Sequence, residues 1–210
     1  MAGPRRRLLA AGVAHADRRE ASVHVQPVGG RLSLGEANAS AAGAGGFGGL
    51  AVRASYATAN LFQYDAQVSV LAGTAAFDQG RFVLSGSSTP IDAPFTLATQ
   101  AVRLDAGATV RLGVRWIPTV RVAAGVQAVR RASPAVEFAG VTYLGADTGQ
   151  APSVAYNLVA TATVGLDYRV TRRWIIGAAI GAAVAAPGLG PRWDTLDLTA
   201  HLGRYWYPRW

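Results

Sequence analysis

Between Val154 and Val170 the even positions read Val154, Tyr156, Leu158, Ala160, Ala162, Val164, Leu166, Tyr168 and Val170, while the odd positions are mostly polar or small, among them Asn157, Thr161, Thr163, Asp167 and Arg169. Strand side chains alternate between two faces, so this period of two predicts a long strand with one apolar face. Tyr156 and Tyr168 stand at the two ends of that face. Twelve residues at ~3.3 Å each, tilted by ~45°, span roughly 28 Å of depth, the scale of a bilayer with an aromatic girdle at each surface.

The pattern recurs in the same phase. Over Val102–Trp116 the even face is apolar and closes on Trp116, while the odd face carries Arg103, Asp105, Thr109, Arg111 and Arg115. Ile117-Pro118-Thr119 is expected to turn the chain into a return strand with Val120, Val122, Ala124 and Val126 on one face and Arg121 and Gln127 on the other. A second hairpin turns between Tyr168 and Trp174 and continues through Ile176, Ala178, Ile180, Ala182 and Val184. A third joins Leu50, Val52, Ala54 and Tyr56 to Phe62, Tyr64, Ala66, Val68 and Val70, with Arg53, Gln63, Asp65 and Ser69 opposite. Leu196, Leu198, Ala200 and Leu202 alternate with Asp197, Thr199 and His201 near the C-terminus, and Val23 and Val25 with Ser22, His24 and Gln26 near the start, where Gly29-Gly30 is expected to form a bulge.

These segments make eight strands, an even number with both ends on the side of the short turns. The predicted fold is all-β, an eight-stranded antiparallel up-and-down transmembrane β-barrel. Closure removes the unpaired edges that lipid cannot satisfy. The connections opposite the short turns, residues 35–45, 77–101, 131–153 and 186–192, are longer, which makes them extracellular; the apolar runs Arg81–Leu84 and Val136–Leu144 are expected to extend strands beyond the bilayer. Tyr56, Phe62, Tyr64, Trp116, Tyr156, Tyr168, Trp174 and Trp206 are assigned to the aromatic girdle. Residues 174–191 carry one charge-free stretch, but its apolar part ends at Ala186, too short to span as a helix that needs ~20 apolar residues. A soluble lipocalin-like carrier would show the same period with its faces exchanged; aromatics at strand ends and arginines interleaved with glycines favour lipid outside.

Composition adds to this picture in two ways. Charged residues are only 15% of the chain, against about 25% in soluble domains, and the absence of cysteine removes disulfides and thiolate chemistry. All 20 basic residues are arginine and the net charge is +8, which by itself suits an anionic partner. Alternation assigns most of that charge to the lumen: Arg53, Asp65, Arg103, Asp105, Arg111, Arg115, Arg121, Asp167, Arg169, Asp197 and His201 form an interior ion-pair network, with Gly and Ala of the 175–185 strand leaving room for long side chains. An eight-stranded lumen is just wide enough to be filled by such side chains. The alternative is a narrow anion-conducting channel lined by Arg103, Arg111 or Arg121. Scattered arginines argue against nucleic acid, and Arg81 and Arg130 at the outer rim suit lipopolysaccharide phosphates. The three histidines, His15, His24 and His201, form no catalytic set with serine and acid, and no metal or cofactor motif is present.

At the N-terminus Arg5-Arg6-Arg7 precedes the apolar Leu8–Ala14 and the small-x-small Ala14-His15-Ala16. That order predicts a signal peptide over residues 1–16, leaving a single barrel domain over 17–210 and lowering the charge of the mature chain to about +5. At the other end His201-Leu-Gly203-Arg-Tyr-Trp206 is similar to the terminal signal of outer-membrane barrels, with Pro208 in place of the final aromatic. With eight strands, the chain resembles the small OmpA/OmpX-like outer-membrane barrel family over residues 20–207. The resemblance implies integral location in the outer membrane of a Gram-negative envelope, contact with its lipids and lipopolysaccharide, and delivery by the barrel assembly machinery. It also implies a non-enzymatic role in envelope structure or surface interaction, exercised through the loops around 77–101 and 131–153.

Overall fold

The computed structural model describes residues 20–58, 61–186 and 192–207; the expected signal peptide and Pro208 lie outside them. The strands are β1 (Ala21–Leu34), β2 (Gly43–Ala57), β3 (Phe62–Phe82), β4 (Ile91–Arg111), β5 (Trp116–Arg131), β6 (Ala135–Phe138), β7 (Val141–Tyr143), β8 (Ser153–Arg169), β9 (Trp174–Ala185) and β10 (Trp193–Trp206). All pairings are antiparallel. Each strand of the ring β1-β2-β3-β4-β5-β8-β9-β10 pairs with its neighbours, and β1 with β10 closes it, which gives the expected eight-stranded barrel. The segment 174–185 is strand, paired along both edges.

The hairpin β6–β7 stands outside the ring, held to the outer end of β4 by Phe95↔Val136 and Thr96↔Ala135. It takes up the apolar run that alternation had assigned to a strand extension. Strands β3 and β4 each have 21 residues. At ~3.3 Å per residue and a ~45° tilt they rise roughly 49 Å, about twice the ~25 Å apolar band of such barrels, so their paired ends project well beyond it.

Three local details differ from the alternation. The β4–β5 turn is at 112–115, where Gly113 takes φ +103, a left-handed conformation that favours glycine. Pro118 sits within β5, with its carbonyl accepting the Leu112 N–H at 3.0 Å. The interruption in β1 falls at Gln26 and Pro27, which have no partners in β10 between Val25↔Leu202 and Val28↔Thr199, whereas Gly29 and Gly30 are paired; proline has no N–H for the ladder. In β3 the register shifts between Phe77 and Gly80. This bulge at Asp78–Gln79 moves the inward set from odd to even positions, so that Phe77 and Phe82 are both buried.

The exterior between the girdles is apolar: Val25, Leu50, Val68, Leu104, Val122, Val164, Ile180 and Leu198 are all exposed. The buried residues line the lumen. The half toward the short turns is mainly polar, with a small cluster of Ile117, Ile175 and Tyr205, but the half toward the long connections is filled by an apolar cluster that includes Leu32, Leu34, Phe47, Leu71, Phe77, Phe82, Phe95, Leu97, Val129 and Trp193. The expected polar interior therefore holds for one half of the barrel. Phe77 and Phe95 stack at 4.3 Å between centroids, with Phe82 edge-on to Phe95 at 5.0 Å. Gly43 and Gly80 face these rings at positions where a Cβ would approach within 2.6 and 2.4 Å.

Candidate functional site

The polar half of the lumen is built from inward positions of all eight barrel strands. Its centre is Arg121 on β5. The Arg121 Nε donates to Asp65 Oδ1 at 2.7 Å, Nη2 lies 2.6 Å from the same oxygen, and Nη2 also donates to Asp105. Thr109 donates to the other Asp65 oxygen at 2.8 Å. Above it, Arg103 lies 3.6 Å from Asp197 and donates to Gln127 and Thr195. His201 Nε2 is 2.9 Å from Asp167 Oδ1. The pair occupies space that a side chain on β9 would take: a Cβ at Gly177 would sit 2.4 Å from Asp167 Oδ1 and 2.6 Å from the His201 ring. Gly177 thus makes room for this His–Asp pair, while Ala179 and Gly181 of the same strand line a small cavity together with Arg53, Arg103 and Arg121.

Toward the short turns, Glu20 is fully buried and meets Arg169 at 3.2 Å and Arg111 at 3.7 Å. Arg111 donates to the Tyr205 hydroxyl at 2.8 Å, and the guanidiniums of Arg111 and Arg169 approach the Tyr205 ring at 5.1 and 5.4 Å. Ser22, Ser55 and Gln63 bond to one another, and Ser22 Oγ lies 3.0 Å from His24 Nε2. The His24 ring is edge-on to His201 at 5.3 Å. Ser22 and His24 are each 2% exposed, so this contact is packed inside the lumen.

Of the predicted interior residues, Asp65, Arg103, Asp105, Arg111, Arg121, Asp167, Arg169, Asp197 and His201 join this lattice. Arg53 lines a cavity of about 40 Å³ together with Gln26, Gln67, Arg103, Arg121, Asp197 and His201, and has no carboxylate within 4 Å among the described residues. Such a volume holds a few waters, each needing about 10–15 Å³, and excludes an organic solute. Arg115 is the exception. It lies exposed in the β4–β5 turn, with Nε and Nη2 donating to the Tyr168 hydroxyl at 2.9 and 2.6 Å. Alternation placed it inward because the turn, at 112–115, falls ahead of the Ile117-Pro118-Thr119 break.

Glu20, His24, Gln63 and Tyr205 complete the lattice, although none was assigned to it from sequence. Extending the inward parity of β1 back to Glu20 and that of β10 on to Tyr205 would have found both. With Glu20 included and Arg115 removed, the described residues of the lumen comprise five arginines (53, 103, 111, 121, 169) and five carboxylates (20, 65, 105, 167, 197). Among them the basic excess expected inside is absent.

The girdle residues Tyr56, Phe62, Tyr64, Trp116, Trp174 and Trp206 are exposed around the short-turn end; Tyr156 is exposed toward the other. Tyr168 is half-buried against Trp116 at 4.6 Å.

No family model matches the chain, and no curated protein matches it. Among solved structures, the outer membrane protein OprG from Pseudomonas aeruginosa is similar over 93% of this chain and 99% of its own, with TM-score 0.53 and 9% identity. Ail, the attachment invasion locus protein of Yersinia pestis, in complex with the heparin analogue sucrose octasulfate, matches over 89% and 99% with TM-score 0.49 and 12% identity. Neisserial surface protein A matches over 86% and 96% with TM-score 0.45 and 12% identity. At these identities the likeness to OprG is one of fold: this chain has the fold of an outer-membrane β-barrel.

Proposed function

We propose that this protein is an integral outer-membrane barrel with a closed lumen, non-enzymatic, acting in envelope structure or surface interaction through its extracellular end. The observation that carries this reading is the filling of the lumen in two different ways along its length. Among the described residues, four arginines pair with four carboxylates and His201 with Asp167 in the periplasmic half, and an aromatic and aliphatic cluster fills the other half. A hydrated ion would have to cross both. Arg103, Arg111 and Arg121, the candidates for an anion path, each have a carboxylate within 4 Å, so the geometry supports packing over conduction.

What remains for interaction is the projecting part: the outer ends of β3 and β4, the β6–β7 hairpin, and Arg81 and Arg130, which stay exposed to meet lipopolysaccharide phosphates. The test is twofold. Protein purified from outer membranes should show heat-modifiable gel migration, and planar bilayers containing it should show no unitary conductance. Steady anion-selective current would establish the channel in place of the closed barrel.

A further inference from the structure

The basic excess of the described residues lies outside the lumen, at one end of the barrel. At the extracellular end the described residues hold five arginines (31, 81, 130, 131, 192) and six carboxylates (36, 78, 92, 137, 147, 194). At the short-turn end, outside the lumen, they hold Arg115, Arg172, Arg173 and Arg204 and no carboxylate. All four are exposed, and none makes a salt bridge among the described residues.

They are also gathered on one sector of the rim. Arg115 enters β5, Arg172 and Arg173 form the β8–β9 turn, and Arg204 lies on the outward face of β10, paired in register with Trp174. The opposite sector, β2 and β3, presents the uncharged Tyr56, Phe62 and Tyr64 at the same level.

Aromatic contacts hold two of these cations at the membrane surface. The Arg204 guanidinium lies 5.7 Å from the ring centroids of both Trp174 and Trp206, and Arg115 lies 5.3 Å from that of Tyr168. A guanidinium resting on a ring still has N–H donors along its edge, in the fork geometry that fits a phosphodiester. Trp and Tyr rings of a girdle sit at headgroup depth.

We propose that this sector of the periplasmic rim binds the phosphodiester headgroups of anionic phospholipids in the inner leaflet. The inference rests on the membrane reading above. Lipid is favoured over a periplasmic protein because Arg204 is on the lipid-facing side of its strand, between two lipid-facing tryptophans.

The three exposed tryptophans of the described residues, Trp116, Trp174 and Trp206, all sit at this rim, while Trp193 is buried in the lumen. In a Trp210→Phe background, tryptophan fluorescence therefore reports contact at the site itself. The full chain is reconstituted in phosphatidylcholine vesicles with equal fractions of brominated phosphatidylglycerol or brominated phosphatidylcholine, both brominated at shallow acyl positions. Quenching should show the anionic lipid enriched at the rim by about fivefold per engaged arginine at low salt. The set Arg115→Gln, Arg172→Gln, Arg173→Gln and Arg204→Gln should abolish the preference, whereas Arg81→Gln with Arg130→Gln should leave it intact. If the fourfold variant does not fold, the exposed turn pair R172Q/R173Q, which leaves the backbone carbonyls of the turn in place, should at least halve the enrichment. Equal quenching by the two lipids, a preference that survives these variants, or one lost with Arg81 and Arg130 overturns the assignment and leaves the membrane reading standing. Absence of quenching by either lipid overturns both.

Discussion

Arg121 offers the most demanding test of the lumen. It is 4% exposed and bonds two carboxylates whose side chains are 1% and 0% exposed, with a further weak contact to Thr161 at 3.4 Å. Arg121→Met keeps most of the side-chain volume but leaves Asp65 and Asp105 facing each other without their cation, with Thr109 still donating to one of them. Breaking a buried pair from one side costs about 3–5 kcal/mol, because the stranded charge cannot regain water. Removing the charges together is different. Arg121→Met combined with Asp65→Asn and Asp105→Asn leaves no stranded ion, and the deficit should shrink to about 1–2 kcal/mol, the scale of a few lost neutral hydrogen bonds. The measurement is urea unfolding in detergent micelles, followed by tryptophan fluorescence and by the fraction of heat-modifiable protein on a gel. A single substitution costing less than about 1 kcal/mol, or a triple variant no more stable than the single, would refute a lattice organised around Arg121.

Other sites give simpler readouts. Gly177→Ala should cost about 1–3 kcal/mol by overpacking the His201–Asp167 pair, while Gly48→Ala on the outer face, whose Cβ would meet nothing closer than 4.0 Å, should change the urea midpoint little. Phe95→Ala removes the stack with Phe77 and the edge contact with Phe82 and should destabilise by about 3–5 kcal/mol; bilayer recordings should still show no conductance, since the ion-pair half of the lumen is untouched. Replacing residues 135–143 with a Gly-Ser linker should leave heat-modifiable migration intact at a cost near the ~1.5–3 kcal/mol of burying one valine, because Val136 is the hairpin's buried anchor in the apolar cluster.

Much of the architecture was legible because alternation is local. A strand shows its two faces through side chains two residues apart, so Val154–Val170 or Leu50–Tyr56 could be assigned without knowing any partner strand. Eight such segments with short and long connections in turn then determine the up-and-down order. The reading failed where the phase changed without a visible mark. The Asp78–Gln79 bulge switches the inward set of β3, and the φ +103 of Gly113 turns the chain before the more conspicuous Ile117-Pro118-Thr119. Arg115 was misplaced for that reason. The apolar half of the lumen was hidden for another: Leu71, Ala75 and Phe77 lie on the inward face beside outward Ala72 and Ala76, and hydrophobicity on both faces carries no period.

The sequence by itself determined the strands, the two alternating faces of each and the aromatic level at the short turns, because each follows from neighbours along one chain. Only the tertiary structure decided what meets across the lumen. Glu20 reaches Arg169 and Arg121 reaches Asp65 and Asp105 because closure brings strands distant in sequence to within one side-chain length, and Coulomb attraction in that space selects partners that no spacing along the chain encodes. Among the described residues, closure also balances the formal charge of the lumen and leaves the net excess of arginine at the short-turn end, on one side of the rim.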